Sequence, residues 1–572
     1  MRAVGGILLL CVSGCATERG RQTTAATLVE DGRTRGTIVI PARMATPASS
    51  RFTEGNAGVV LTAAHALSGF LQDMSGARVP VRWDIDVDDS EGFRIMIGST
   101  ALAPVDPAWV SEQKVGFDGF IIRSVPNGIV IAGRNDQGTA NGVYHFAEQM
   151  LGIHWYSFED LVPTIPRRST VRIPRLDMTV KPDFDWRHQS HSIAGKYLGE
   201  FAVRSKSEAK ANYPHWHTFN RVEGIVAECH HVFFRIVPDS LFETHPEYFA
   251  LIDGKRKKGR NDVQRCLSNP DVLQLAINDT RRYFEREPAL RFATLSANDG
   301  GGWCECTPCA AMGPTQSDRS LLFCNRVAEA NESLYPTRGY VFYAYDATLD
   351  PPLVTKAHRN VIPMVADLGA CRLHPMDSDC RGPAHKRKVY EGWQKAAGRI
   401  SWRGYIVGGR FSAPGVITAA EEYRLLRDRG CIGGMREHTA SPKANWAILN
   451  WMEVKLMWDV DRDPVKLRRQ FIAGYYGRSA ADVIERIYDR IETSIRNSPT
   501  DAPSESRYAY VHNRRLHWDI LGPIVEACRG DLEAALRIAE GEKNATHRRR
   551  IARDMGALLL GLPADMKGLL AE

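Results

Sequence analysis

Four carboxylates stand just past apolar runs that read as β-strands: Asp299, Asp346, Asp367 and Glu437. Two carboxyl groups flanking one bond are what glycoside hydrolysis requires, one as acid and the other as base or nucleophile. Asp299 follows the run Phe292-Ala293-Thr294-Leu295 and precedes Gly300-Gly301-Gly302, where bare backbone can approach a ligand closely. Glu437 follows Cys431-Ile432-Gly433-Gly434-Met435-Arg436, a run that reads as buried. The expected working pair is therefore Asp299 as acid and Glu437 as base or nucleophile, with Asp367 and Asp346 in reserve. Each has a structural alternative: a turn aspartate opening a glycine loop for Asp299, and an ion pair at a barrel mouth for Glu437.

A sugar site also uses aromatic faces against pyranose rings and polar groups for the hydroxyls. Trp216, Trp303, Tyr343, Tyr345 and Trp402 lie in or near strand-like runs. Of these, Trp303, Tyr345 and Trp402 are taken as substrate-binding candidates, against the alternative that each is core. His230 and His231 are adjacent on a strand-like run, so one imidazole should face inward and the other outward. An inward one would bind a hydroxyl or a carboxylate, or else be a hydrogen-bonded core histidine.

The cysteines and the N-terminus bear on compartment. The opening MRAVGGILLLCVSGC has a charged start and an apolar stretch from Ile7 to Val12. That stretch is too short for a bilayer, which takes about 20 apolar residues, and reads as a secretory signal. Val12-Ser13-Gly14-Cys15 resembles a bacterial lipobox, which implies lipidation of Cys15 and a bacterial cell-envelope location; ordinary cleavage after a small residue is the alternative. Of twelve cysteines, ten then remain, and an even number in an exported chain favours disulfides. Cys304, Cys306, Cys309 and Cys324 sit close together in sequence. A disulfide-pinned loop ranks first for them, a structural metal second and free thiols third. No metal and no cofactor are expected.

The elements that must position these groups follow from periodicity. Residues 1–15 are the signal and 16–35 a polar tether. Residues 36–175 alternate strand and helix patterns, with Asn127-Gly128 as a hairpin signal and a helix opening near Asp136; they read as an α+β domain, with a proline-rich linker at its end. Residues 180–460 hold eight strand candidates, including His215–Asn220 and His230–Ile236, with helical stretches between most of them, which matches the size of a (β/α)8 barrel. Residues 461–572 are helical, with Val483, Ile487, Ile491 and Ile495 as one apolar stripe. The whole is an α/β chain: a small α+β domain, a (β/α)8 TIM barrel and a helical C-terminal region.

The chain has 572 residues and a formal charge of +7. Its basic residues form no clustered stripe of the kind nucleic acids need, so no nucleic-acid partner is expected. There is no P-loop, GxGxxG, HExxH or GxSxG, so nucleotide, metalloprotease and serine-hydrolase readings have no local support.

The run Gly138-Thr139-Ala140-Asn141-Gly142-Val143-Tyr144-His145-Phe146, with Leu151-Gly152 and Trp155, resembles the α+β domain that precedes the barrel in β-N-acetylhexosaminidases and α-glucuronidases. The next segment resembles a bacterial domain-of-unknown-function family, 4838, of glycoside hydrolase-like character. The residues that carry this second likeness are His245-Pro246-Glu247-Tyr248-Phe249, Cys266-Leu267-Ser268-Asn269-Pro270, Ser296-Ala297-Asn298-Asp299-Gly300 with the Cys304–Cys309 run, Glu437 after Gly433-Gly434, and Trp458. By that resemblance Arg187 and His188 match substrate-orienting positions of the hexosaminidase barrel. Hexosaminidases carry an Asp–Glu pair where this chain has Asn298-Asp299, a departure that speaks against their substrate-assisted mechanism and leaves Asn298 to bind a sugar hydroxyl. The resemblance implies an exported glycoside hydrolase acting on a poly- or oligosaccharide and held to a membrane by its N-terminal lipid. The alternative is a glycan-binding lipoprotein on the same scaffold without catalysis.

Overall fold

The computed structural model describes residues 25–45, 57–88, 92–157, 160, 162–191, 218–221, 231–287, 290–366, 374, 376–406, 416–438, 446–497 and 514–559. Two six-stranded sheets organise them. The first is ordered Val81–Trp83, Gly36–Ile40, Phe93–Ile97, Gly128–Gly133, Phe120–Val125, Asp177–Val180. Its first four strands run parallel, and Phe120–Val125 is antiparallel to both neighbours. Asn127 takes the left-handed conformation (φ 58°) that the tight hairpin turn demands. Helices Ala57–Ser75 and Asp136–Gln149 cover one face, where Val60, Leu67, Val143 and Phe146 meet Ile38, Ile95 and Ile131. The second helix starts where the Asn135 side chain accepts the Gly138 N–H at 2.8 Å, an N-cap bond.

Two boundaries differ from the sequence expectation. Ala26–Glu30 is a strand paired antiparallel to Val171–Ile173, and Leu28 and Val29 are fully buried. The tether expected over 16–35 therefore overlaps folded chain, because two adjacent apolar residues outweigh the polar composition around them. Likewise the expected linker contains Val171–Ile173, and Asp177–Val180 completes the first sheet.

The second sheet is parallel and curled. Its order is Trp186–His191, Cys431–His438, Ile400–Ile406, Val361–Ala366, Gly339–Ala344, Phe292–Thr294. These correspond to the first, eighth, seventh, sixth, fifth and fourth barrel strands, so the described sheet is a half-barrel that does not close. The two expected strands that would close it are replaced where they are described. Residues 218 and 219 are helical and 220–221 form a turn, and Phe233–Ile236 is a short helix whose start is held by Val232 N–H to the Ser296 carbonyl (3.1 Å) and Phe234 N–H to Asn298 Oδ1 (2.8 Å).

Gly433 and Gly434 allow the eighth strand to fit between its neighbours. A Cβ at Gly433 would lie 2.3 Å from the Trp186 carbonyl oxygen, and one at Gly434 2.3 Å from the Trp402 indole and carbonyl. The inner face of the sheet carries Trp186, Phe292, Val341, Tyr343, Ile362, Met364 and Met435 as one cluster. Outward side chains meet helix Trp446–Trp458, which is buried almost all round; it is apolar apart from Asn450, Glu453 and Lys455, and its buried Glu453 and Lys455 are ion-paired.

That helix joins the sheets. Glu148, from the N-terminal domain, is fully buried between Lys455 Nζ (2.7 Å) and Arg221 Nη2 (2.6 Å). Arg187 pairs with buried Asp118 of the first sheet's loop, and the Arg187 and Arg221 guanidinium groups both lie over the Trp458 ring, at 4.8 and 5.1 Å. Beyond it, Pro464–Tyr475, Ala481–Arg496, Arg514–Gly541 and Ala545–Leu559 form the helical C-terminal region. In Ala481–Arg496 the buried stripe is Ile484, Ile487, Tyr488 and Ile491, while Val483, expected in it, is half-buried. Among the described residues no helix is long and apolar enough to cross a membrane.

Candidate active site

Strand parity decides which side chains reach the mouth of the half-barrel. Met435 is on the inner face, and its lateral partners in register are His188 and Arg403. Neighbours along a strand alternate, so Arg187, Trp402 and Arg436 face outward. Arg187 is fully buried: besides its pairing with Asp118 it donates to the carbonyls of Phe184 (2.6 Å) and Arg221 (3.1 Å). This corrects its expected role as a substrate-orienting residue, because its guanidinium holds the two domains together. Trp402 is also buried, edge-on to Phe184 (4.6 Å) and Tyr423 (5.9 Å), so it is core and offers no platform. Arg436 meets Glu453 at 2.9 Å on the outer side, away from position 437.

On the inner side a polar group gathers past the ends of the fourth, fifth and seventh strands. His231 packs edge-on to Tyr343 (5.2 Å) and lies 6.4 Å from the Tyr345 ring. Its Nδ1 is 2.6 Å from the Ala297 carbonyl oxygen. A carbonyl only accepts, so Nδ1 carries the proton and Nε2 faces Asp299 Oδ1, 3.7 Å away. Arg403 donates to the Tyr343 hydroxyl and lays its guanidinium over that ring at 4.7 Å. Arg403 was missed in the sequence because its conspicuous neighbour Trp402 drew the assignment; only one of the two can face the mouth, and parity gives it to the arginine.

Asp299 is half-exposed (51%) rather than sequestered, and its Oδ1 accepts the Gly300 N–H at 3.1 Å. The loop behind it is clamped by Gln264, which is fully buried. Its Nε2 donates to the carbonyls of Asn298 (2.8 Å), Gly300 (3.1 Å) and Gly301 (3.2 Å), and its Oε1 accepts the Asn298 N–H (2.9 Å). Gly300 (φ 84°) and Gly302 (φ 64°) are left-handed, and a Cβ on either would strike Asp262 at 1.9 and 2.1 Å. Asn298 is buried with its amide used up: Oδ1 accepts from Phe234 and Nδ2 donates to the Val263 carbonyl (2.9 Å). This corrects its expected part in binding a sugar hydroxyl.

Gln264→Leu should therefore unfasten Asp299. It strands an N–H and three carbonyls, each costing roughly 1–3 kcal/mol when left unpaired and buried. The expected result is a fall of several degrees in Tm, together with faster backbone hydrogen exchange over residues 298–302. Unchanged exchange there would refute the clamp.

The remaining sites divide as follows. His188 is half-buried on the inner face, and Tyr345 is half-buried beside His231. Asp346 is half-buried and opens a 3-10 turn in left-handed conformation (φ 50°). Trp303 is half-buried against the main core rather than the inner-face cluster. Position 437 lies on the inner face of the eighth strand by parity with Met435. Trp216, His230, Asp367 and Cys15 lie outside the described residues. Cys324 is buried in helix Gln316–Asn331 and is not part of the cysteine group. Cys304, Cys306 and Cys309 instead meet Cys266, and no sulfur–sulfur bond joins them, which corrects the expected disulfide.

A family model described as "Domain of unknown function (DUF4838)" matches residues 155–489. No curated protein matches the chain. Among solved structures, a family 115 4-O-methyl-α-glucuronidase with specificity for decorated arabinogalactans aligns with a TM-score of 0.54 and 13% identity, over 93% of this chain and 73% of that one. A family 138 enzyme targeting pectin rhamnogalacturonan II gives 0.51 and 13%, over 91% and 85%. A family 89 glycoside hydrolase from Clostridium perfringens gives 0.50 and 11%, over 90% and 63%. At these identities the likeness is one of fold.

Proposed function

We propose that this chain, which belongs to the DUF4838 family, is a glycoside hydrolase that cleaves a poly- or oligosaccharide at the open mouth of its curled sheet. The observation that carries the reading is the inner-face group of His231, Asp299, Tyr343 and Arg403. It combines a carboxylate beside an imidazole, an aromatic ring and a guanidinium, with position 437 on the same face of the sheet. Asp299 protonates the leaving oxygen and Glu437 acts as base or nucleophile. Three strands of the curled sheet lie between theirs, and in this reading the glycosidic bond spans the mouth between them. His231, with Nδ1 committed to a backbone carbonyl, turns Nε2 toward Asp299 and orients that carboxylate.

The chemistry of the mouth favours an acidic sugar over an N-acetylhexosaminide. Arg403 supplies a guanidinium that suits a uronate carboxylate. The acid pair of the hexosaminidases is not reproduced, since Asn298 is an amide spent on the backbone. The family 115 structure is itself described as an α-glucuronidase. Screening uronate-containing plant glycans against neutral and N-acetylated ones tests the reading. Release of a uronic acid supports it. Saturable binding without turnover of any glycan in the panel would favour the non-catalytic alternative, in which the same mouth only holds sugar.

The N-terminal sequence supports an envelope location. A lipid on Cys15 would hold the enzyme to a bacterial membrane beyond the reach of cytoplasmic substrates. Expressed in a Gram-negative host, the wild type should partition with membranes and Cys15→Ser should appear in the soluble fraction. Unchanged partitioning would refute the anchor.

A further inference from the structure

The cysteine group behind the glycine loop has a geometry that neither a disulfide nor unrelated thiols explain. Cys266, Cys304, Cys306 and Cys309 are all buried, and their four sulfurs lie within 4.8 Å of one another. Cys266 Sγ is 3.7 Å from both Cys306 Sγ and Cys309 Sγ. A disulfide needs about 2.05 Å. Four thiolates at about 2.3 Å from one zinc ion form a tetrahedron whose edges are about 3.8 Å. The two separations of 3.7 Å match such an edge, and all six fall within 4.8 Å.

The surroundings suit thiolates as well. The Leu251 N–H donates to Cys304 Sγ at 3.3 Å, and Arg256 Nη1 lies 3.7 Å from the same sulfur. The Ser268 hydroxyl is 3.5 Å from Cys266 Sγ, 3.6 Å from Cys306 Sγ and 3.1 Å from Cys309 Sγ. Four thiolates around Zn2+ leave two negative charges, and a backbone donor, a hydroxyl and a guanidinium are what such a centre needs around it. Leu251 and Arg256 belong to the hairpin Leu251–Ile252 and Lys255–Arg256, whose turn has left-handed Asp253 and Gly254. Cys306 stands immediately before the short helix Thr307–Ala310, with Pro308 in its first turn. A hairpin and a helix start thus converge on one point.

We propose that Cys266, Cys304, Cys306 and Cys309 bind one structural zinc ion. With four protein ligands the ion has no open position and takes no part in a reaction. It fastens the loop after the fourth strand to the segment before helix Pro270–Arg286. That junction also carries Glu305 N–H to the Leu251 carbonyl (2.8 Å), Gln264 N–H to Gly302 (3.0 Å) and Asp262 N–H to Asp299 (2.8 Å). Zinc therefore holds the base of the loop on which Asp299 stands. The inference does not depend on what reaction, if any, the mouth performs.

The test is the metal content of the full chain, purified without chelator or added metal. Elemental analysis should give about one zinc per chain. The four cysteines should resist alkylation in the folded protein and react once a mercurial has released the zinc into a colorimetric indicator. Exchange with cobalt should produce the intense visible bands of a tetrahedral tetrathiolate. Cys266→Ser and Cys309→Ser should each reduce bound zinc to background; where a variant does not fold, the wild-type stoichiometry and alkylation pattern decide. Zinc at background in the wild type, with Cys266 bridged to Cys306 or Cys309 in non-reducing peptide mapping, would overturn the proposal. So would stoichiometric iron, or bound zinc with all four thiols freely alkylated.

Discussion

Asp299→Asn and Glu437→Gln should each lower turnover of a glycan found by screening by about 10²–10⁴-fold, the range of a lost general acid or base, while leaving the thermal transition close to that of the wild type. The separation of activity from stability follows from where the residues stand. Asp299 is half-exposed. Its backbone carbonyl is held by Asp262, and the bond its side chain takes from the Gly300 N–H needs only an acceptor oxygen, which asparagine retains. Position 437 is on the inner face beyond Met435, away from the outward ion pair of Arg436 with Glu453. The Asp299 change therefore strands no buried group, and Glu437→Gln keeps the size and shape of the side chain. The measurement is kcat/KM for both variants beside a Tm for each. If Asp299→Asn keeps near wild-type rates, the acid is another group, and Asp367 is the next to replace. If both variants retain activity, the carboxylate mechanism fails for this mouth.

How far the sequence predicted this arrangement depended on local signals. Asn127-Gly128 specified its hairpin, and the apolar runs at 37–41, 93–97 and 129–133 specified strands, because turn chemistry and β-branched runs act within a few residues. The fourth to eighth barrel strands and the first were readable in the same way. The expected strand His230–Ile236 failed where it is described, since Val232-Phe233-Phe234 is a short apolar run that periodicity cannot assign. Tertiary bonds to Ser296 and Asn298 turn it into a helix. The alternation that separates His230 from His231 holds for two other pairs of neighbours: Arg187 and His188 cannot both face the mouth, nor can Trp402 and Arg403. Cys266 was not grouped with Cys304, Cys306 and Cys309 because it is remote in sequence, and proximity made Cys324 look like the fourth member. Side chains that join distant segments, such as Gln264 under the glycine loop, leave no local pattern at all.

The same limit hides the charge network at the junction of the two sheets, where the largest stability effect is expected. Burial alone would raise the Glu148 carboxyl, but Lys455 and Arg221 outweigh it and hold the group well below the ordinary carboxylate range. Lys455 is the strained partner. Burial lowers it, Glu148 pulls it back up, and Arg221 and Arg462 push the same way as burial, leaving it at about 7 against an ordinary 10.5. Cations thus outnumber the carboxylate, and the two partners are not equivalent. Glu148→Gln leaves Lys455 and Arg221 buried without a counter-charge and should cost about 3–5 kcal/mol. Lys455→Met removes the excess positive charge and keeps the Glu148–Arg221 pair, but loses the 2.7 Å contact of Nζ with Glu148 and the Nζ bond to Asn220 Oδ1 (2.8 Å); because Glu148 retains Arg221 as counter-charge, a smaller loss than for Glu148→Gln is expected. The pH dependence has a definite sign. Between pH 7 and about 10 the unfolded chain holds the Lys455 proton that the folded chain has released, so the wild type gains stability as pH rises through that window. Lys455→Met lacks this gain, and the difference between the two proteins should shift steadily toward the wild type. Denaturant unfolding of wild type, Glu148→Gln and Lys455→Met at several pH values between 6.5 and 10 measures both effects. Equal destabilisation by the two substitutions, or a pH-independent difference between wild type and Lys455→Met, would show that Lys455 stays fully charged in the fold and that the network is balanced.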